Sequence, residues 1–446
     1  MGYEIVAGVY SSTVLRNSKL GVVSALVLAG SMWFYFECVL IPYQIADAAA
    51  HDRPRGNLSD LYPRWLGARE LLLHHRDPYS AEVTREIQAG YYGRPLDPAR
   101  RGDPEDQSAF AYPVYVVFPL APTLRLPFDY VRQGFHWFLL LLTGTSVLLW
   151  LQALRWKPQL SLLLVFVFLI LGSFPVVQGV KLQQLSLMVA GLLAAACAAL
   201  VAGHLALAGV LLALAAIKPQ LAILLTAWLL LWAVYDWRLR KRFAIAWAVT
   251  MTVLLAGAQL VLPGWIGRFW MALGEYHRYT HNVSVVDWLF TPVLGKILAA
   301  ILLLISFALC RPFLNENRDS ERLGVALSLI LALTAVVVPM MATYNHVFLL
   351  PALILLARGW QKLWNGSLLM RMLFVVTGVA LFWPWLASMG LMLATLVWPP
   401  ATVQSHWQLP IITTFTFPIF VFTLMALHVS VFVRRRVPAA QLVQMK

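Results

Sequence analysis

Charge is scarce in this chain. Only 12% of its residues are Asp, Glu, Lys or Arg, against 60% hydrophobic residues. A soluble domain carries about one quarter charged residues, so a water-soluble globular fold is excluded. Cysteine is scarcer still, with Cys38, Cys197 and Cys310 the whole complement. Two of these fall inside apolar segments and the third at the end of one, so no disulfide framework or metal-ligand spacing is visible. Acids are the rarer charge, 20 against 34 Lys plus Arg, for a net charge of +14. That excess does not point to nucleic acid. The basic residues are dispersed among short loops, which is how membrane orientation is encoded, rather than gathered on one soluble face. A Gly-rich phosphate loop, low-complexity segments and a fixed-period repeat are also missing.

What the chain has is apolar length. A spanning helix needs about 20 mostly apolar residues. Candidate segments are 20–44, 109–127, 133–155, 159–177, 182–203, 205–217, 219–235, 243–263, 287–309, 323–341, 346–357, 371–397 and 409–433. Eighteen Trp and fifteen Tyr suit two membrane–water interfaces. Five basic clusters, at Arg16/Lys19, 238–242, 311–322, 358–371 and 434–436, are assigned to the cytoplasmic side by the positive-inside rule. Both termini are then cytoplasmic, and loop 45–108 and the links near Gln184, Lys218, Asn282, His346 and Gln404 lie outside. Thirteen crossings cannot leave both ends on one side. The weakest segment is 109–127, where Pro113, Pro119, Pro122 and Pro127 break helical hydrogen bonding. It reads as re-entrant or interfacial, which leaves about twelve spans; the alternative is a miscount near 133–177. The first run, 20–44, is long and lacks a clear cleavage site, as in a signal anchor. The expectation is one all-α integral membrane domain over 1–446, with a helical outer loop between spans 1 and 2, in a cell membrane of bacterial inner or plasma type.

Loop 45–108 holds eleven of the twenty acids. Carboxylates are costly in hydrocarbon, so a reactive one belongs at the membrane edge. Ser59 or Asp60 can cap a helix that starts near Pro63. Trp65, Leu66, Ala68, Leu72 and Leu73 would form its membrane-facing stripe, the mark of an interfacial helix. Asp60 is then either a cap or a reactive group. Asp77-Pro78-Tyr79 is a turn signature. The stretch 100–106 reads as a solvated loop, and Glu105-Asp106 lacks the further ligands a metal needs.

Lys218 lies between long apolar stretches and before Pro219, where the helix must break. Its charge either snorkels to the surface or meets an anion such as phosphate. Thr343-Tyr344-Asn345-His346 is a second polar break, and His346 is either an interfacial residue or a site residue. Gln183-Gln184 opens another span, and Asn282-Val283-Ser284 fits a glycosylation sequon.

In this order, these pieces resemble glycosyltransferase family 87. The features that match are Asp60, Asp77-Pro78-Tyr79, Tyr112-Pro113, Gln184, Ala208-Gly209 through Lys218-Pro219, Asn282-Val283-Ser284 and His346, spread over residues 55–350. The chain departs from the family where it has Gln183 and Arg76 in place of Gly, and Asn345 in place of the first of two His. The resemblance implies a GT-C-type helical bundle that moves a sugar, mannose in related enzymes, from a polyprenyl-phosphate donor to a lipid or glycan acceptor, with inversion and without a cofactor or metal. Asp60 would be the general base. Lys218 and His346 would hold the leaving phosphate, and Arg64, Tyr112, Gln184, Asn282 and Tyr344 would contact substrate. Membrane lipids would be the other partners. A transporter or lipid-linked glycan flippase is the non-enzyme alternative, but it would carry charges at several mid-span positions or a repeated half. An O-antigen ligase-like enzyme is the enzymatic rival, although such proteins carry their large outer loop late in the chain.

Overall fold

In the computed structural model, the described residues are 19–434 except 57, 58, 98, 101, 281, 282 and 340, and no strand occurs among them. Arg16, the cluster at 435–436 and Asn282 therefore lie outside the described residues, as do both termini.

Helix α1 (Lys19–Ala50) leads into the acid-rich loop, which folds as α2 (Tyr62–His74) and α3 (Ala81–Tyr92). The bundle continues with α4 (Phe128–Ala153), α5 (Leu160–Leu171), α6 (Phe174–Lys181), α7 (Leu185–Ala202) and α8 (Leu205–Leu214). Next come α9 (Pro219–Tyr235), α10 (Trp237–Val261), α11 (Trp265–Thr280) and α12 (Pro292–Cys310). The chain closes with α13 (Glu321–Val337), α14 (Leu350–Arg358), α15 (Leu368–Ala394) and α16 (Phe417–Arg434). Among the described residues, six helices are long and apolar enough to cross a membrane. A seventh crossing is possible if α5 and α6, bent by 52° at their junction, act as one. The protein is thus a multi-span helical membrane bundle.

Small residues let its helices approach closely. Gly209 of α8 faces the backbone of α10, where an added Cβ would lie 2.3 Å from the Phe243 carbonyl oxygen. The Ala-rich helix α7 packs against α4 and α8 and is buried over most of its length.

Two expectations about the outer loop are corrected. The first is the cap of α2. No side chain caps this helix, whose N-cap position is Leu61; the Ser59 carbonyl accepts from the Tyr62 N–H instead. The second is the apolar stripe. Trp65, Leu66 and Ala68 are buried in the protein core, not presented to lipid. Gly67 explains the fit, since a Cβ there would meet the Phe110 ring at 2.4 Å. Only Leu73 of the proposed stripe is exposed.

The Pro-rich segment forms short helical turns over Val114–Thr123. Ten residues rise about 15 Å, half the hydrocarbon thickness, so the segment is no span. Val114, Val116, Val117 and Leu120 are buried, which places it inside the protein.

At one end of the bundle, basic side chains tie the helix links together. Arg240 donates to the carbonyls of Trp232, Leu314 and Glu316 at 2.6, 2.7 and 2.9 Å. Arg155 donates to the Asp319 carbonyl at 2.7 Å, and Arg358 reaches Leu154 O at 3.2 Å and Glu321 at 2.9 Å. Three of the basic clusters read from the sequence therefore share this end.

Candidate active site

The acid-rich loop docks onto the start of α7 through the Asp60 N–H, which donates to Leu182 O at 2.8 Å. The chain leaves α6 by a tight stop in which Gln183 N bonds Val180 O at 3.1 Å and Gln184 N bonds Gly179 O at 2.8 Å. This is the pairing of a Schellman motif, whose penultimate residue is left-handed. Gln183 fills that position with φ +48°. Its side chain donates back to Val180 O and Lys181 O at 2.8 and 3.0 Å. A glycine would adopt this backbone without strain.

The stop aims Gln184 at two charges. Its side-chain N–H donates to the Asp60 carboxylate. Its Oε1 accepts from Lys218 Nζ at 3.0 Å, and Lys218 also donates to Ser186 Oγ at 2.8 Å. Lys218 sits between the end of α8 and Pro219, with non-helical backbone (φ −122°, ψ 81°), and is 2% exposed. Its ammonium lies 5.8 Å from the Tyr112 ring centroid and 5.4 Å from that of Tyr344. Arg64, in the first turn of α2, donates to the Asp60 carbonyl at 2.7 Å and stacks on Tyr112 at 4.5 Å. The Pro-rich segment holds this wall in place, because the Tyr115 hydroxyl donates to Ala216 O at 3.0 Å, two residues before Lys218. Tyr79 of the turn signature fixes the backbone carbonyl of Tyr112 in the same way.

Beside them lies one cavity of about 800 Å³. It brings together Asp60, Arg64, Tyr112, Gln184, Lys218 and Tyr344 of the expected set. Asn282 is outside the described residues. His346 is not among the residues that line this cavity. Thr343–Leu349 is a 3-10 helix of three residues per turn, so Tyr344 and His346 point to different sides. His346 lines a second, smaller cavity, away from Lys218. Among the described residues no cluster of His, Cys, Asp and Glu could hold a metal ion.

The sequence profile of glycosyltransferase family 87 matches residues 110–339, just over half of the chain. The chain belongs to glycosyltransferase family 87. No curated protein matches it. The protein is a membrane glycosyltransferase, with a sugar donor and an acceptor as its substrates. Tyr112, Gln184 and Lys218 lie within the matched stretch, whereas Asp60, Arg64, Tyr344 and His346 lie outside it.

The glycosyltransferase cavity also contains residues that sequence reasoning passed over. Asp106 lines it, although it read as part of a solvated loop. One of its carboxylate oxygens accepts from its own turn, at Ser108 N, 2.8 Å away. Tyr91, Trp265 and Tyr276 complete the aromatic wall. Ser186, a partner of Lys218 that does not itself line the cavity, carried a signal, since it stands in the first turn of the helix that Gln184 opens. Burial raises the Asp60 carboxyl above the usual carboxylate range. The Arg64 and Lys218 cations oppose that rise, Asp106 adds to it, and the Gln184 hydrogen bond opposes it.

Proposed function

We propose that this glycosyltransferase transfers a sugar, mannose by family resemblance, from a polyprenyl-phosphate donor to a hydroxyl of a lipid or glycan acceptor on the extracytoplasmic face. The observation that carries the reading is the bridge Asp60–Gln184–Lys218 on one cavity wall: a carboxylate and a buried cation sharing one neutral amide.

In the step proposed, Asp60 takes the proton of the acceptor hydroxyl as general base. The acceptor oxygen attacks the anomeric carbon as the bond from that carbon to the phosphate oxygen breaks. The electron pair leaves with the phosphate, whose growing negative charge falls to Lys218, with Arg64 as the second cation of the cavity. One base and one good leaving group suffice for this single displacement, which inverts the anomeric carbon. The aromatic wall of Tyr112, Tyr344 and Trp265 offers apolar faces for a sugar ring and the first carbons of the lipid.

The test is Asp60→Asn, assayed in vesicles with a polyprenyl-phosphate mannose. The variant keeps the hydrogen-bonding shape of the side chain but cannot accept the proton. Turnover should drop roughly 10²- to 10⁴-fold, the usual contribution of a general base, while donor binding persists. Near-normal turnover in pure, folded Asp60→Asn protein would remove Asp60 from the mechanism.

A further inference from the structure

The second cavity, of about 90 Å³, opens where the bundle is broken twice. On one wall the junction of α5 and α6 bends at Ser173. On the other, Pro384 interrupts α15 and leaves the Ala380 carbonyl without its helical donor. Each polar group exposed by these breaks is nonetheless satisfied within the protein. Ser173 Oγ donates to Ile170 O at 2.8 Å and Thr414 Oγ1 to Ile411 O at 2.7 Å. The Trp385 indole donates to Gly172 O at 2.6 Å, and Thr413 Oγ1 supplies the orphaned Ala380 carbonyl at 2.9 Å.

His346 is the exception. It lines the cavity at 6% exposure, and no hydrogen bond or ion pair engages its ring among the described residues. A buried imidazole without a partner forfeits a hydrogen bond, so the content of the cavity is expected to supply one. The remaining lining is hydrocarbon, including Leu169, Ile170, Val347, Leu353 and Leu381. Leu169, Leu353 and Leu381 are only half-buried, so the space reaches the flank of the bundle. No Lys or Arg lines it, so a phosphate there would meet no fixed cation, which favours a neutral group as the partner of His346. The occupant that fits pairs a long apolar body with a neutral hydrogen-bonding group.

We infer that the second cavity binds an ester-linked acyl chain of a glycerolipid, with His346 donating to the ester carbonyl and the chain lying along Leu353 and Leu381. The site is distinct from the sugar-transfer cavity. The 3-10 helix that sends Tyr344 one way and His346 the other contributes to both cavities. It does not depend on which donor the enzyme uses, because its readout is binding.

The test is photolabelling of the purified full-length protein in vesicles containing phosphatidylglycerol with a diazirine on one acyl chain. Crosslinks should map to peptides bearing Leu353 and Leu381, and unlabelled phosphatidylglycerol should compete where farnesyl phosphate does not. Leu353→Trp fills the cavity and should abolish the label. If that variant is not monodisperse, Ala380→Leu fills the same space from the opposite wall. His346→Phe keeps an aromatic ring, slightly larger, without its hydrogen bond and should lower site occupancy about fivefold, as loss of one neutral hydrogen bond would. Label spread evenly over the lipid-facing flank and indifferent to these variants would overturn the site. Displacement by farnesyl phosphate alone would overturn the acyl assignment in favour of an isoprenoid chain.

Discussion

Both hydrogen-bond partners of Lys218, Gln184 and Ser186, are neutral. A cation so buried is costly unless an anion joins it, so its purpose is proposed to be the donor phosphate. Lys218→Met should weaken donor binding by roughly 10- to 100-fold, the worth of a charge-assisted hydrogen bond. Unchanged affinity in a titration with polyprenyl phosphate would return Lys218 to a structural role. Asp60 predicts a pH dependence of opposite sign for rate and stability. Its folded-state pKa is raised, chiefly by burial. As a base it must be ionised, so turnover should fall as pH drops through that raised value. Stability runs the other way: the raised pKa contributes stability that is fully present below the unfolded value and lost as pH rises through the folded one. The melting temperature of Asp60→Asn relative to the parent should therefore climb with pH over that window; a flat difference would count against a buried, ionising Asp60. At this scale the sequence was informative about Lys218, because a lone Lys between apolar runs announces its own cost. For His346, polar neighbours in the chain gave no sign that its ring lines a second cavity of mainly apolar side chains.

Among the elements, the stop at Gln183 can be tested directly. Gln183→Gly relieves a left-handed residue but gives up two side-chain hydrogen bonds, whereas Gln183→Ala gives up the bonds and keeps the strain. The Ala variant should be less stable than the Gly variant by about 1 kcal/mol, from the cost of the left-handed backbone. Thermal midpoints of both proteins in detergent would show this, and an equal or reversed order would contradict it. Element identity was largely legible. Long apolar runs became helices, the Pro-rich run 109–127 did not become a span, and Pro219 marked a helix start. Orientation of a short helix was not legible. The stripe on α2 satisfies an interfacial pattern as well as a buried one, and only the docking of Gly67 against Phe110 decides between them. Asp106 was invisible for a similar reason, since it reaches the cavity through a turn in a polar loop.

For the whole molecule, orientation is the open prediction. Three basic clusters meet at one end of the bundle, and the positive-inside rule assigns that end to the cytoplasm. In a background free of Cys38, Cys197 and Cys310, Ala89→Cys on α3 should react with an impermeant thiol reagent in intact cells. Asn317→Cys, at the basic end, should react only after lysis. The reverse pattern would turn the active cavity toward the cytoplasm and its nucleotide-sugar pools. The amide bridge at the centre of the site has a further consequence, for biogenesis. It joins residues 124 positions apart on one side and 34 on the other. A chain still leaving the ribosome, with α1 and the outer loop delivered but α8 and α9 not yet inserted, has the carboxylate without the ammonium. If the bridge is the catalytic centre proposed above, the nascent polypeptide is inert until the third segment docks.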